Sequence, residues 1–160
     1  MTMDNIVLLG IGQSFRGDDA IGIIAVEKWQ ERFPETAQLP ALKVEILELP
    51  GLELLDALSG AKKALIVDAV QSGSPTGTIH VITENELLSF TPDSQSAHGW
   101  GVAETLKLGA LLEKDDLPKE IVIIGIEADQ FEMGAGLSPT VSNQIQKIVE
   151  IIQTQIIQIT

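Results

Sequence analysis

The sequence predicts an α/β domain, a three-layer α/β/α sandwich on a mostly parallel, twisted sheet of about five strands with one antiparallel edge strand. Three observations predict it. Short apolar, β-branched runs at 6–11, 64–70 and 121–126 have the composition of strands buried on both faces. Between them lie stretches whose apolar residues recur at helical spacing, as crossover helices require. Each run also opens at its carboxyl end into a loop, and in an open α/β sheet such loops gather the ligand-binding residues.

Taken in order, Ile6 to Ile11 is the first strand, ended by Gly10 and Gly12. A glycine-rich turn leads to a helical pattern from Asp18 to about Phe33, with Ile21, Ile24, Ala25 and Trp29 on one face and Pro34 closing it. Leu42 to Leu49 alternates like a strand, and Pro50-Gly51 turns it into a short helix near 52–59 with Leu54, Leu55 and Leu58 as its apolar face. Ala64 to Val70 is a central strand that carries Asp68 at its carboxyl end. The loop 70–77 is too short for a crossover helix, so Thr78 to Thr83 is expected as an antiparallel edge. Residues 84–92 are weakly patterned and 93–101 form a polar loop. A helix is expected over 101–113, with Val102, Leu106 and Ala110 on one face and His98 at or just before its start. Ile121 to Ile126 is the last central strand and opens into E-A-D-Q-F-E-M-G-A-G-L. Ser138 then caps a final helix with Pro139 at its first position. Val141, Ile145, Ile148, Ile152 and Ile156 step by three or four residues among glutamines and charges, the pattern of an amphipathic surface helix.

A chain of 160 residues is expected to be one domain, 1–160, with a core that needs no disulfide or structural metal. Ten basic residues against 23 acidic ones leave a net charge of −13, which opposes nucleic acid and anionic membranes. A cationic peptide, a metal ion or a basic protein partner suits that field. The absence of cysteine removes thiol nucleophiles, thiolate metal sites and disulfides together. No apolar run approaches the ~20 residues needed to span a bilayer, and no secretory leader is visible. A soluble, cytoplasmic monomer is the expectation.

The turn 10–17 invites a nucleotide-binding reading, which fails in detail. A dinucleotide fingerprint needs glycine where the chain has Phe15. Read as a phosphate loop from Gly12, the lysine and hydroxyl positions are Asp18 and Asp19, which would face phosphate with negative charge. The glycines are expected to bend the backbone sharply and leave the crevice open. Asp18 and Asp19 are explained equally by helix capping and the helix dipole. Asp68 is unusual because carboxylates are rarely buried unpaired; capping of the 70–77 turn is its alternative. A lone histidine near a helix start is commonly structural, but the positive helix end favours neutral imidazole, the metal-binding form. His80 reads as an ordinary strand residue. Asp19, Asp68 and His98 all come from carboxyl-end segments, and two carboxylates with an imidazole suit a divalent transition metal with positions left open. Glu127, Asp129 and Glu132 compete for the same role.

Four ordered blocks resemble the maturation endopeptidases of nickel-iron hydrogenases. G-I-G-Q-S-F-R-G-D-D-A-I-G at 10–22 is similar to that family's G-x-G-N-x-x-x-x-D-D/E-x-x-G. V-D-A-V-Q-S-G-S-P-T-G at 67–77, S-A-H-G-W-G-V-A-E-T-L at 96–106 and I-G-I-E-A-D-Q-F-E-M-G-A-G-L-S-P at 124–139 resemble its later motifs. The resemblance implies a metal site of Asp19, Asp68 and His98, with Asp18 left as the helix cap. It also implies an aspartic-type endopeptidase that removes a short C-terminal extension from the hydrogenase large-subunit precursor after nickel insertion. The nickel would be carried mainly by the substrate and used in recognition; another divalent metal can occupy the site in its place. A metal- or carboxylate-activated water would attack the scissile carbonyl. A non-catalytic binding protein or chaperone for the same precursor is the alternative. Gln13 stands where the family has asparagine, and Glu48-Leu49-Pro50-Gly51 replaces its Asp-Gly-Gly-Thr-like turn, a departure that bears on which hydrogenase is the substrate.

Overall fold

β1 (Ile6–Gly12) is buried at every residue because strands flank it on both sides and a core covers each of its faces. β2 (Leu42–Glu48) pairs with it in parallel from Ile6↔Leu42 to Gly12↔Glu48, and β3 (Lys63–Val70) pairs in parallel on its other side. β5 (Glu120–Glu127) joins β3 in parallel, and β4 (Ile79–Thr83) closes the sheet antiparallel to β5. The strand order is β2-β1-β3-β5-β4 in this computed structural model, which describes residues 5–48, 51–83, 86 and 115–160. The expected mostly parallel sheet with one antiparallel edge is thus present. The helix expected over 101–113, the loop 93–101, nearly all of 84–92 and His98 lie outside the described residues.

Side-chain alternation divides each central strand between two cores. Ile6 and Leu8 of β1 meet Ile21, Ala25 and Trp29 of α1 (Ile21–Arg32) and Ile148, Ile152 and Ile156 of α5 (Ile145–Ile159). Val7, Leu9 and Ile11 face the opposite way, onto Leu54 and Leu58 of α3 (Glu53–Leu58). Trp29 is fully buried, and its indole N–H is satisfied by Gln153 Oε1 at 3.0 Å.

Local details differ from the expected pattern. The helix predicted from Asp18 starts as one 3-10 turn, Gly17–Ala20, and becomes α-helical at Ile21. Ile24 is only half-buried, while Ile23 and Val26 are buried with Ile21 and Ala25. Pro34 does more than stop α1: the chain leaves helical space at Phe33, and Pro34 occupies the first turn of α2 (Pro34–Ala37). The final helix is two, α4 (Pro139–Ser142) and α5, joined through Asn143 and Gln144. Ser138 caps α4 as predicted, its side chain accepting from Val141 N–H.

Gly10 and Gly12 do not bend the chain, which corrects the expectation from the sequence. Both lie inside β1, and each marks a close approach of the following turn and helix. A Cβ on Gly12 would sit 2.0 Å from the Asp19 carbonyl oxygen, and one on Gly10 would sit 2.8 Å from that of Gly22. Gly22 is also closely seated, at 2.3 Å from the Val67 oxygen and 2.4 Å from that of Ile11. The start of α1 therefore rests directly on the backbones of β1 and β3. Gly17 alone of this turn's glycines has a left-handed conformation, φ 55°.

Candidate functional site

From β1 the chain steps to β2 on one side and then to β3 on the other, so the order in which strands are added reverses between β1 and β3. At the carboxyl ends of two such strands a crevice is left open. The β1–β3 pairing ends at Gly10↔Val67. Asp68 is the first residue of β3 past that pair, opposite Gly125 on β5. Asp19 lies on the turn that follows β1, half-buried, with its N–H donating to Arg16 O and its carbonyl accepting from Gln13 N–H. The close seating of Gly12 beneath Asp19 O fixes where that turn stands.

The two carboxylates interact. The Asp68 side chain is half-buried by exposed area, yet atoms crowd its carboxylate closely enough to remove most of its hydration. That desolvation pushes its pKa well above the usual carboxylate range, the negative charge of Asp19 pushes it further, and the Ala69 N–H opposes both. A desolvated acid group beside a second carboxylate forms a place where a proton or a cation is stabilised. The oxygen donors fit a divalent metal. His98, the third expected member, lies outside the described residues. Among the described residues, no three His, Asp or Glu side chains form a metal-binding group.

Asp18 was expected to cap its own helix, and it does not: no side-chain cap bond is made at the start of the 3-10 turn or of α1. It is fully buried and reaches across to the loop after β5. Its Oδ2 accepts from the N–H groups of Asp129 and Gln130, both at 3.1 Å, and from the Ser138 hydroxyl at 3.0 Å. Its Oδ1 accepts from Ser138 N–H at 2.7 Å. Asp18 N–H in turn donates to Gln130 O at 2.7 Å, and Gly17 N–H to Ala135 O at 3.2 Å. A buried carboxylate satisfied in this way is a strap that holds the β5 loop against the turn bearing Asp19.

Glu127, a competing ligand by sequence, is occupied structurally. It is 2% exposed and accepts from Ser72 N–H at 3.2 Å, from the Ser72 hydroxyl, and pairs with His80 Nε2 at 3.0 Å. Glu127 therefore supports the 70–77 loop, the job considered for Asp68, and His80 is more than an ordinary strand residue. Asp129 and Glu132 are exposed. Sequence reasoning missed the Asp18 strap and the Ser72–Glu127–His80 cluster because their members are 47 to 120 residues apart. The acid pair Asp18-Asp19 was the visible signal for the first; nothing local marked the second.

Comparison with known proteins follows the same lines. Residues 24–155 match the family model described as HycI, hydrogenase maturation protease. The chain is 31% identical over 148 residues to the hydrogenase 2 maturation protease of Escherichia coli strain K12, covering 91% of this chain and 86% of that protein. It is 30% identical over 155 residues to the hydrogenase expression/formation protein HupD of Bradyrhizobium diazoefficiens, covering 94% and 77%. Among solved structures, the hydrogenase maturating endopeptidase HybD from E. coli superposes with a TM-score of 0.79 at 25% identity, over 96% of this chain and 93% of that one. The maturation protease HybD from Thermococcus kodakarensis gives 0.70 at 26% identity, over 94% and 98%.

Proposed function

The chain belongs to the hydrogenase maturation protease family and is a peptidase, and on that premise we propose that it removes the C-terminal extension of a nickel-iron hydrogenase large-subunit precursor once nickel is in place. One observation carries the reading: Asp19 and Asp68 stand at the switch point of the sheet, close enough for the charge of Asp19 to disfavour ionisation of Asp68. A cation brought by the substrate relieves that repulsion. The acceptor for the nickel-bearing tail is then Asp19, Asp68 and His98, with carboxylate oxygens and an imidazole nitrogen filling positions left open on the precursor's metal. The metal belongs to the substrate, so the site distinguishes a loaded precursor from an empty one.

Cleavage follows from position. Holding the metal centre fixes the adjoining peptide in the crevice, which turns attack by water into a local event. Water adds through its oxygen to the scissile carbonyl carbon while a carboxylate accepts its proton. The C–N bond then breaks, and that proton leaves on the departing amine. The buried Asp18 strap keeps the crevice wall in place through this sequence. The cytoplasm is the proposed site of action.

The test is incubation of the purified protein with nickel-loaded and nickel-free precursor, with the products weighed by mass spectrometry. Shortening of the loaded form alone is expected. No cleavage of a loaded cognate precursor refutes the peptidase assignment to this substrate and leaves a binding protein; equal cleavage of both forms refutes gating by nickel.

A further inference from the structure

A small groove opens beside the crevice, lined by Gln13, Ser14, Phe15, Glu48 and Met133 and holding about 170 Å³. It shares the turn that carries Asp19, because Gln13 N–H donates to Asp19 O. Phe15 and Met133 are 74% and 73% exposed, an unusual use of large apolar side chains. They are not on loose loop tips. Gly134 N–H donates to Phe15 O at 2.7 Å, Arg16 and Met133 form an isolated β-bridge, and the Asp18 strap lies just behind.

Glu48 supplies the polar end. It closes β2, is exposed, and its Oε1 accepts from Ser14 N–H at 2.9 Å; hydrogen bonding from the Ser14 side chain first, and from that N–H second, holds its pKa below the usual carboxylate value. No basic side chain among the described residues pairs with it. The surrounding field has the same sign: segments 13–20, 70–78 and 127–138 carry Asp18, Asp19, Glu127, Asp129 and Glu132 against the single cation Arg16. Arg16 is turned to Phe131, with Nε on its carbonyl oxygen at 3.2 Å and the guanidinium 5.7 Å from its ring centre. An aromatic face, a thioether and a carboxylate with no basic partner among the described residues make, in one narrow groove, a seat for a long cationic side chain. Its aliphatic stem covers apolar surface, and its charge meets both the ring and the carboxylate.

We propose that this groove is a specificity subsite that takes a lysine or arginine side chain of the precursor near the scissile bond, with its stem on Phe15 and Met133 and its head at Glu48. The proposal rests on the peptidase reading above and adds which residue type the enzyme selects. The volume is too small for a drug-sized ligand and is on the scale of one long side chain.

The experiment is steady-state processing of nickel-loaded precursor by wild type, Glu48→Gln and Phe15→Ala, with each lysine or arginine flanking the cleavage point replaced in turn by alanine. Glu48→Gln retains an oxygen for Ser14 N–H, so the turn stays folded. It is expected to raise KM about fivefold with kcat within about twofold, and Phe15→Ala to raise KM similarly. One precursor substitution should reproduce that rise in wild type and add nothing in Glu48→Gln. Wild-type KM should also climb with salt more steeply than that of Glu48→Gln. An unchanged KM in Glu48→Gln, with wild type active, overturns the subsite while leaving the peptidase reading intact. A rise in KM for Phe15→Ala alone means an apolar occupant and also overturns it. Failure of wild type to cleave any loaded precursor overturns both.

Discussion

Replacing Asp18 by alanine removes the acceptor for three backbone N–H groups and one hydroxyl in a fully buried position. Each buried donor left without a partner costs about 1–3 kcal/mol, and water entering the vacated space recovers part of it, so the three N–H groups together put the loss at about 4 kcal/mol. In a chain of this size that lowers Tm by about 8–16 °C. Asp18→Asn is instructive because the two oxygens carry different loads. With the amide oxygen at the Oδ2 position, the contacts to Asp129, Gln130 and the Ser138 hydroxyl survive. The amide nitrogen then confronts Ser138 N–H, which stood 2.7 Å from Oδ1. Losing that one bond and setting two donors face to face costs about 2 kcal/mol. Urea unfolding of the three proteins, with equal slopes, reads both numbers as shifts in midpoint. A loss under about 0.5 kcal/mol for Asp18→Ala, the scale of an ordinary surface change, would refute the strap.

Other outcomes follow from the same geometry. Asp68 binds its proton more tightly folded than unfolded, so its ionisation costs stability above its folded pKa, and that cost is relieved as pH falls toward the usual carboxylate range. Asp68→Asn is therefore expected to be more stable than wild type at neutral pH, with the difference shrinking on acidification; a constant difference across pH would contradict the assignment. Gly12→Ala places a methyl 2.0 Å from Asp19 O and should yield little folded protein, whereas Gly51→Ala, with nothing within 4 Å, should express normally. His98→Ala should abolish processing of loaded precursor while the circular dichroism and Tm stay near wild type, and wild-type processing would remove His98 from the site.

Local signals carried the elements well where the physics is local. β-branched runs marked β1, β3 and β5, the short 70–77 connection marked β4 as antiparallel, and Ser138-Pro139 marked the start of α4. The glycines of β1 were visible but misread, since the backbone they admit belongs to residues 19 and 22, and a sequence pattern does not say which atoms approach. Asp18 looked like a cap because local bonding explains an aspartate before a helix; its partners at 129, 130 and 138 are brought in by the order of the sheet. Asp68 stood out because a charge inside an apolar strand conflicts with burial, and the same burial shifts its proton affinity. Glu127 was grouped with Asp129 and Glu132 by composition, whereas only its position opposite Val70 at the end of β5 turns it toward Ser72 and His80.

The order β2-β1-β3-β5-β4 also sets a schedule for the nascent chain. β4 leaves the ribosome before β5, yet β5 is the strand it pairs with in the sheet. At synthesis rates of about 5–20 residues per second, β4 waits roughly a few seconds for its neighbour. Asp18 waits longer, because Ser138 is made 120 residues later. A shortened or stalled product would therefore carry Asp19 and Asp68 without the wall that frames them. The crevice is among the last parts of the molecule to be completed.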